Sequence, residues 1–268
     1  ALALDAEAMG VDRLVVPASE AATLADVEGP EIVPLPHLRD LPALLRGSGA
    51  RSWRRPPAPA RPGAPPPAIA ACRLAEVRGQ DRAKRALLIA AAGGHGLLLQ
   101  GPPGCGKTML ARRLVDLLPD LDRTTRQTCR RVRSCAGLAP VDDARPPLRA
   151  PHHSVSAVGL VGGGRPVGPG EITLAHGGVL LLDEIPEFGR QRLDRLREPL
   201  SDGRIELVRS GERVVLPARF QLVATANPCP CGWAGSHLDR CRCPGPLLER
   251  HRRRLSGPLR DRIDLWVD

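Results

Sequence analysis

Short runs of consecutive apolar residues are the most regular pattern along this chain. They occupy positions 96–100, 177–182 and 220–226. A run that is apolar at almost every position is typical of a strand buried on both faces, as in a parallel sheet covered by helices. Helical spacing of small and apolar residues is found at 82–92 and 109–115. The pattern therefore predicts an α/β fold with a parallel sheet flanked by helices.

The first 70 residues follow a different pattern. Residues 1–46 alternate short elements, with strands predicted at 13–17 and 31–35 and helices at 20–27 and 38–45. This piece is too short to bury a core of its own, so we interpret it as the end of a truncated domain. Residues 47–70 are rich in Pro, Ala and Arg and have no hydrophobic periodicity, which predicts a semi-extended linker. The main domain is expected to cover residues 71–268.

A phosphate-loop sequence joins the first buried strand to the helix that follows it. The segment matches G-x-x-x-x-G-K-[ST], whose glycines let successive backbone N–H groups surround a phosphate. We expect ATP contacts from Gly101, Pro102, Pro103, Gly104, Cys105, Gly106, Lys107, Thr108 and Met109. Lys107 would reach the β- and γ-phosphates, and Thr108 would bind Mg²⁺. Of the 39 basic residues only Lys84 and Lys107 are lysines, which favours a specific role for Lys107 over a glycine-rich turn that binds nothing.

Two further apolar runs end in polar residues suited to the same chemistry. Asp183 and Glu184 follow the second run; in a phosphate-loop enzyme the first acid holds Mg²⁺ and the second polarises the attacking water. Asn227 follows the third run and could orient that water. The alternative for Asn227 is a turn residue, since Asn-Pro sequences favour turns.

Several longer stretches share a resemblance with one family. They are 77–80, 149–154, 162–164, 169–172, 175–178, 197–200, 217–220, 227–232 and 255–265. With these stretches and the nucleotide motifs, residues 71–268 resemble the magnesium-chelatase-like AAA+ ATPases of the ComM/YifB type. Residues 1–46 are similar to the end of the Lon-like, ribosomal-S5-type domain that precedes the ATPase in that family.

The resemblance implies a role for each matching residue. Lys107 and Thr108 fall at Walker A, Asp183 and Glu184 at Walker B, and Asn227 at sensor 1. Arg262 falls at the arginine-finger position, which would complete the active site of a neighbouring subunit in a homo-oligomeric, hexameric ring. Arg260 is a nearby rival, and a surface arginine in a basic stretch is the alternative for both.

Two insertions bear on the substrate. Residues 155–170 match the helix-2 insert of the family. Residues 205–208 and 213–216 flank a Gly-containing turn, which predicts a β-hairpin at the position of the pre-sensor-1 hairpin. Such hairpins line the pore of ring helicases, and Arg209 and Arg213 at its tip are candidate contacts to a phosphate backbone. A solvated hairpin tip is the alternative.

Four cysteines cluster near the end of the chain. Cys229, Cys231, Cys241 and Cys243 could form a tetrahedral Zn²⁺ site, with His237 as a substitute ligand. Free or redox-active thiols remain the alternative, because C-x-C spacing is less typical of zinc sites than C-x-x-C.

Charge and family resemblance together indicate the partner. The net charge of +10 favours nucleic acid, although an arginine-rich genome composition would give the same charge. We expect a cytoplasmic, ATP-driven helicase or branch-migration motor that acts on DNA in natural transformation or recombination, with no membrane partner and no signal peptide. The alternatives are a magnesium-chelatase-type motor subunit that remodels a partner protein, and a catalytically silent scaffold. Because the chain ends before the helical lid of the family, weak nucleotide binding and hydrolysis are expected from this piece.

Overall fold

The computed structural model of the chain divides into two compact units. One unit comprises residues 1–70 and 138–140, and the other comprises residues 71–137 and 141–268. The structure describes residues 6, 9–21, 24, 30–46, 74–139, 144–165, 167–209, 212–235 and 240–268. The linker predicted at 47–70 and most of the helix predicted at 20–27 lie outside this description. None of the described helices is long and apolar enough to cross a membrane.

The smaller unit contains two parallel strands. Its elements are β1 (Arg13–Pro17), α1 (Ala18–Ala21), β2 (Glu31–Leu35), a 3₁₀ turn (Leu38–Asp40) and α2 (Leu41–Leu45). Strand β1 pairs in parallel with β2, in the register Val15 opposite Val33. Val16, Ala21 and Ile32 form its small buried cluster. The strands occur where the apolar runs at 13–17 and 31–35 predict them.

The larger unit contains the remaining helices and strands. The helices are α3 (Asp81–Gly93), α4 (Lys107–Arg112), α5 (Arg123–Cys135), α6 (Ala157–Val161), α7 (Glu171–Leu174), α8 (Arg190–Asp194), α9 (Arg197–Asp202), α10 (Gly245–Arg252) and α11 (Gly257–Arg260), with 3₁₀ segments Leu74–Glu76, Arg113–Leu117 and Ile185–Phe188. The strands are β3 (Leu97–Gln100), β4 (Leu148–Arg149), β5 (Gly162–Gly163), β6 (Gly168–Pro169), β7 (Val179–Leu182), β8 (Arg204–Arg209), β9 (Glu212–Pro217), β10 (Gln221–Ala226) and β11 (Leu265–Val267).

A five-stranded parallel sheet forms the centre of this unit. Its strand order is β11-β3-β10-β7-β4, and every neighbouring pair is parallel. Side chains alternate between the two faces, since successive residues of a strand point in opposite directions. One face buries Leu98, Leu180 and Leu182, and the other buries Leu97, Leu99, Val179 and Leu181. This explains why the strands are apolar at almost every position, and it confirms the predicted α/β core.

Helices cover both faces of the sheet. Ala83, Leu87 and Ala90 of α3 pack on one face, and Phe188 and Leu193 pack on the other. The helix predicted at 109–115 begins two residues earlier, at Lys107, and changes to 3₁₀ geometry at Arg113.

The predicted hairpin is present and consists of β8 and β9. The two strands pair antiparallel from Arg204 opposite Pro217 to Arg209 opposite Glu212. Its tip residues 210 and 211 lie outside the described residues. The family-type insert at 155–170 contains α6 and the short antiparallel pair β5 and β6.

Candidate functional site

The carboxyl ends of three adjacent strands carry the predicted nucleotide residues. Strand β3 leads into the phosphate loop, Asp183 directly follows β7, and Asn227 directly follows β10. In a parallel sheet these ends lie at the same edge, where open α/β folds bind their ligands. The sheet order places β10 between β3 and β7, which brings the three segments together.

Glycines determine the backbone path of the phosphate loop. Gly104 and Gly106 have φ angles of 79° and 86°, in the left-handed region that residues other than glycine rarely adopt. The amide of Gly101 donates to the carbonyl of Ala226 at 3.2 Å, which ties the start of the loop to β10. The backbone hydrogen bond and the conformations of these glycines therefore help to hold the loop in one shape.

The Lys107 ammonium is held at the centre of the loop. It donates to the carbonyl oxygens of Gly101 at 2.8 Å and Pro102 at 2.9 Å. Its third donor reaches Oδ1 of Asn227 at 3.1 Å. The structure thus brings together two predicted site residues that are 120 positions apart in sequence.

The side-chain oxygens of Thr108 and Asp183 lie next to each other. The Thr108 hydroxyl donates to Oδ1 of Asp183 at 2.7 Å. Neighbouring ligands of an octahedral Mg²⁺ ion lie about 2.9 Å apart, because each Mg–O bond is about 2.0–2.1 Å. The spacing of these two oxygens therefore fits a shared Mg²⁺ ion.

Thr225 is a member of the site that sequence reasoning missed. Its hydroxyl donates to Oδ1 of Asp183 at 2.6 Å and accepts from the amide of Glu184 at 2.9 Å. Thr225 is fully buried, and the parallel register of β10 and β7 sets it level with Asp183. Threonine is common in strands because of its high β-propensity. Its presence within an apolar strand therefore gave no separate indication that Thr225 belongs to the site.

Glu184 has a backbone conformation that is unusual for a residue with a side chain. Its φ angle is 52°, and such left-handed residues cost about 1–3 kcal/mol and concentrate at functional sites. The turn presents an exposed carboxylate beside Asn227, whose Nδ2 lies 3.5 Å from Oε1 of Glu184. The carbonyl of Asn227 in turn lies 3.0 Å from Nε2 of His251. Asn227 therefore lies between Lys107 and Glu184.

Gln80, which precedes α3, also contacts the phosphate loop. Its φ angle is 57°, and Nε2 of its side chain donates to the carbonyl of Cys105 at 3.1 Å. The stretch 77–80 contributes to the family resemblance, and this contact gives it a physical role: it links the segment before α3 to the phosphate loop.

The two candidate finger arginines lie at different places. The carbonyl of Arg262 lies 3.1 Å from the position that a Cβ atom on Gly96 would take, which places Arg262 at the amino end of β3. Its side chain donates to Ser201 Oγ and to the carbonyl of Pro258, each at 2.8 Å. The four residues of β3 span about 13 Å and separate this backbone from the phosphate loop.

Arg260 lies beside a cleft that is next to the phosphate loop. Its guanidinium is 5.2 Å from the ring centroid of Trp266. The cleft has a volume of about 980 Å³ and is lined by both residues together with Gly101 and Asn227. Arg260 thus lines the cleft next to the phosphate loop, whereas the Arg262 backbone lies at the amino end of β3.

The hairpin carries apolar and charged side chains on its surface. Val208 and Val215 are 72% and 53% exposed. Arg213 forms an ion pair with Glu206 at 2.6 Å, so its charge is partly compensated. The side chain of Arg209 lies outside the described residues.

The four clustered cysteines come together in space. Their sulfur atoms all lie within 4.8 Å of one another, and they are the only group of metal-ligating side chains of this kind among the described residues. The Trp233 amide and the Cys229 thiol hydrogen-bond to the Cys231 sulfur and lower the pKa of Cys231 to about 6. His237, the predicted substitute ligand, lies outside the described residues.

The fold and this edge of the sheet define a phosphate-loop core of the AAA+ class. More narrowly, the chain belongs to the family described as magnesium chelatase, subunit ChlI, whose sequence model matches residues 73–268. This confirms the resemblance stated from the sequence.

Relatives place the chain within the ComM/YifB branch of this family. It is 50% identical to YifB of Escherichia coli over 198 residues, which is 73% of this chain and 38% of that protein. It is 49% identical to the competence protein ComM of Haemophilus influenzae, again over 73% of this chain and 38% of that protein. A protein of Mycobacterium tuberculosis is 43% identical over 98% of this chain and 52% of its own length. The chain therefore spans about half or less of the length of these relatives.

Proposed function

We propose that the protein is an ATP-hydrolysing, ring-forming AAA+ motor that acts on DNA. The observation that carries the hydrolytic part is the meeting of Lys107, Thr108, Asp183, Glu184 and Asn227 at one edge of the sheet. These residues supply a phosphate-binding cation, two oxygen ligands for Mg²⁺, a carboxylate base and an orienting amide, which are the parts that phosphoryl transfer to water requires.

Each residue has a distinct task in this reaction. Lys107 exchanges loop carbonyls for phosphate oxygens, and the loop amides bind the same group. Thr108 and Asp183 would hold Mg²⁺, which would supply positive charge to stabilise the phosphates of the nucleotide. Glu184 accepts a proton from the attacking water, and Asn227 fixes the direction of attack.

The position of Arg262 supports assembly into a ring. Its backbone lies at the amino end of β3, on the far side of the strand from Lys107. Because this position is away from the phosphate loop of the same chain, we propose that Arg262 acts on the site of a neighbouring subunit, where a guanidinium stabilises charge on the transferring phosphoryl group.

DNA is proposed as the substrate from charge and from the hairpin. The chain carries a net charge of +10, and Arg209 and Arg213 are close in sequence to the turn that joins β8 and β9. A relative bears the name competence protein, which agrees with a role on DNA. Cytoplasmic location belongs to the same proposal.

A partner protein is the second candidate substrate. The exposed Val208 and Val215 and the pairing of Arg213 with Glu206 suit contact with a protein surface better than contact with a phosphate backbone. In that case the motor would remodel a partner, as a magnesium-chelatase-type subunit.

Hydrolysis and substrate can be tested separately. Glu184→Gln should bind ATP but not turn it over, while Lys107→Ala should lose ATP binding; Glu249→Gln, an exposed carboxylate on α10, is the matched control. Turnover by Glu184→Gln equal to that of the wild type would refute the assignment of the base.

The substrate is decided by stimulation of the ATPase rate with single-stranded, duplex and forked DNA. We expect stimulation in the wild type and its loss in Arg209→Ala/Arg213→Ala, with basal hydrolysis retained. Arg190→Ala, which also removes an exposed, ion-paired arginine, should behave as the wild type. Absence of stimulation by every DNA would exclude DNA and favour the protein substrate.

A further inference from the structure

The four clustered cysteines have the spacing of a metal site. The Cys229 sulfur lies 3.2 Å from that of Cys231 and 3.7 Å from that of Cys241, and Cys231 and Cys241 are 3.7 Å apart. Thiolates around a tetrahedral Zn²⁺ with bonds of about 2.3 Å lie about 3.8 Å apart. A disulfide would require about 2.05 Å. The sulfurs thus surround a volume of the size of one ion.

Burial does not explain why these sulfurs converge. Cysteine is usually buried as a small apolar residue, yet only Cys229 is buried; Cys241 and Cys243 are half-buried and Cys231 is exposed. A group of thiols that meets near the surface needs a cause other than the hydrophobic effect. A shared ion provides that cause.

We propose that Cys229, Cys231, Cys241 and Cys243 bind one Zn²⁺ ion, which fixes the cysteine loop against the phosphate loop. The cysteine loop is defined here by its described residues 228–235 and 240–244. In the bound state all four sulfurs are thiolates and each forms one bond to zinc; those that are protonated beforehand release their protons, with no change of oxidation state. The resulting centre carries two negative charges, and Arg240 and Arg242 flank Cys241 in sequence with compensating charge.

A close contact connects the cysteine loop to the phosphate loop. Gly232 is buried with a φ angle of 84°, and a Cβ atom there would lie 2.6 Å from Cδ of Pro103. The next residue, Trp233, lines the cleft beside Gly101. The loop backbone therefore packs directly on the segment expected to bind phosphate.

The same loop continues from the predicted water-orienting amide. Cys229 is two residues beyond Asn227 and fully buried, and its sulfur accepts from the amide of Ala234 at 3.3 Å. An ion bound to Cys229 would hold the exit of β10 and, through Gly232, the phosphate loop. The metal site stands on the sulfur geometry alone, whereas its effect on the nucleotide rests on the proposed function.

Metal content tests the first half of the proposal. Elemental analysis of protein purified without added metal should find about one zinc per chain, as a four-cysteine site requires. Cys241→Ser/Cys243→Ser should lose it, and Cys135→Ser, which removes an exposed cysteine on α5, should keep it. Zinc far below one equivalent, with four alkylatable thiols or with disulfides in their place, would overturn the site; iron instead of zinc would overturn the choice of ion.

A glycine pair tests the second half without touching a ligand. Gly232→Ala and Gly235→Ala both introduce a side chain at positive φ, 84° and 72°, but only the first meets another of the described residues within 4 Å. Gly232→Ala should keep zinc and weaken the binding of a fluorescent ADP analogue by about tenfold or more, since overpacking must displace Pro103. Gly235→Ala should bind the analogue more tightly than Gly232→Ala does.

The outcomes separate the two ideas. Equal ADP affinity in both glycine variants would refute the coupling and leave the zinc site standing. Failure of the wild type to bind the analogue would refute the proposed nucleotide function and the coupling with it, whereas the zinc content would be unaffected.

Discussion

Replacing Thr225 by valine is expected to damage both the stability and the turnover of the protein. The two side chains have nearly the same shape, so the change removes a hydroxyl without creating a cavity. That hydroxyl donates to Asp183 at 2.6 Å and accepts from the Glu184 amide at 2.9 Å. Both contacts would be lost from a residue that is fully buried.

The magnitude follows from these two contacts. A hydrogen bond to a charged group contributes about 1.5–3 kcal/mol, and a buried amide left without a partner costs about 1–3 kcal/mol. Asp183 is only half-buried and keeps its bond from Thr108, so values near the lower ends apply. We expect a loss of about 3 kcal/mol in the free energy of unfolding, or a Tm lowered by about 6–12 °C for a unit of this size.

Turnover should fall for a separate reason. The strained turn at Glu184 is held by the hydrogen bond from its backbone N–H to the Thr225 hydroxyl. Without that hydrogen bond the backbone can relax and move the carboxylate. We expect ATP binding to be retained and the maximal rate to fall about tenfold, which corresponds to about 1.4 kcal/mol in the barrier.

A matched control is available in Thr173→Val. Thr173 is also fully buried, and among the described residues its hydroxyl has no hydrogen-bond partner, so the change should be neutral or stabilising. Denaturant titrations and steady-state ATPase assays of both variants provide the comparison. Equal free energies of unfolding and equal rates for the two variants would refute the role given to Thr225.

Two further predictions concern subunit contacts and pH. Arg262→Ala should reduce turnover of the assembled ring by about 10³-fold or more, and mixing it with Lys107→Ala subunits should restore part of the rate; turnover independent of Arg262 would contradict the proposal. The pKa of His176 is held below its usual value by burial and by repulsion from Arg219. The folded state therefore resists a proton that the unfolded chain accepts near pH 6.5, so the free energy of unfolding should be highest above about pH 6.5 and fall as the pH is lowered. Denaturant titrations of His176→Gln should show a shallower fall, and an equal fall in both proteins would count against this origin.

Local patterns were sufficient to predict the main strands and the phosphate loop. A strand buried on both faces is apolar at nearly every position, so β3, β7 and β10 could be located from sequence within one or two residues. The phosphate loop could be recognised because its glycines, which the turn of the backbone requires, and its lysine, which phosphate binding requires, lie within eight consecutive positions. The hairpin β8–β9 was predicted for the same reason, since its pairing partners are neighbours in sequence.

Other elements carried too little local signal. Strand β4 has two residues and β11 has three, and both owe their existence to pairing with longer strands. Helix α5 is rich in arginine and buries only Val132, so its apolar face is weak. Their formation depends on neighbours that a sequence pattern does not reveal.

Sequence alone thus determined which chemical groups are present, and the tertiary structure decided which of them meet. The contact of Thr225 with Asp183 joins residues 42 positions apart and exists only because β10 lies beside β7 in one parallel register. Sequence placed Arg262 at the finger position with Arg260 as a nearby rival, and the structure gives their side chains different surroundings: Arg260 lies over the Trp266 ring, whereas Arg262 donates to Ser201 and Pro258. Motifs are set by short-range backbone requirements, whereas distances between motifs are set by strand order and register, which result from the packing of the whole unit.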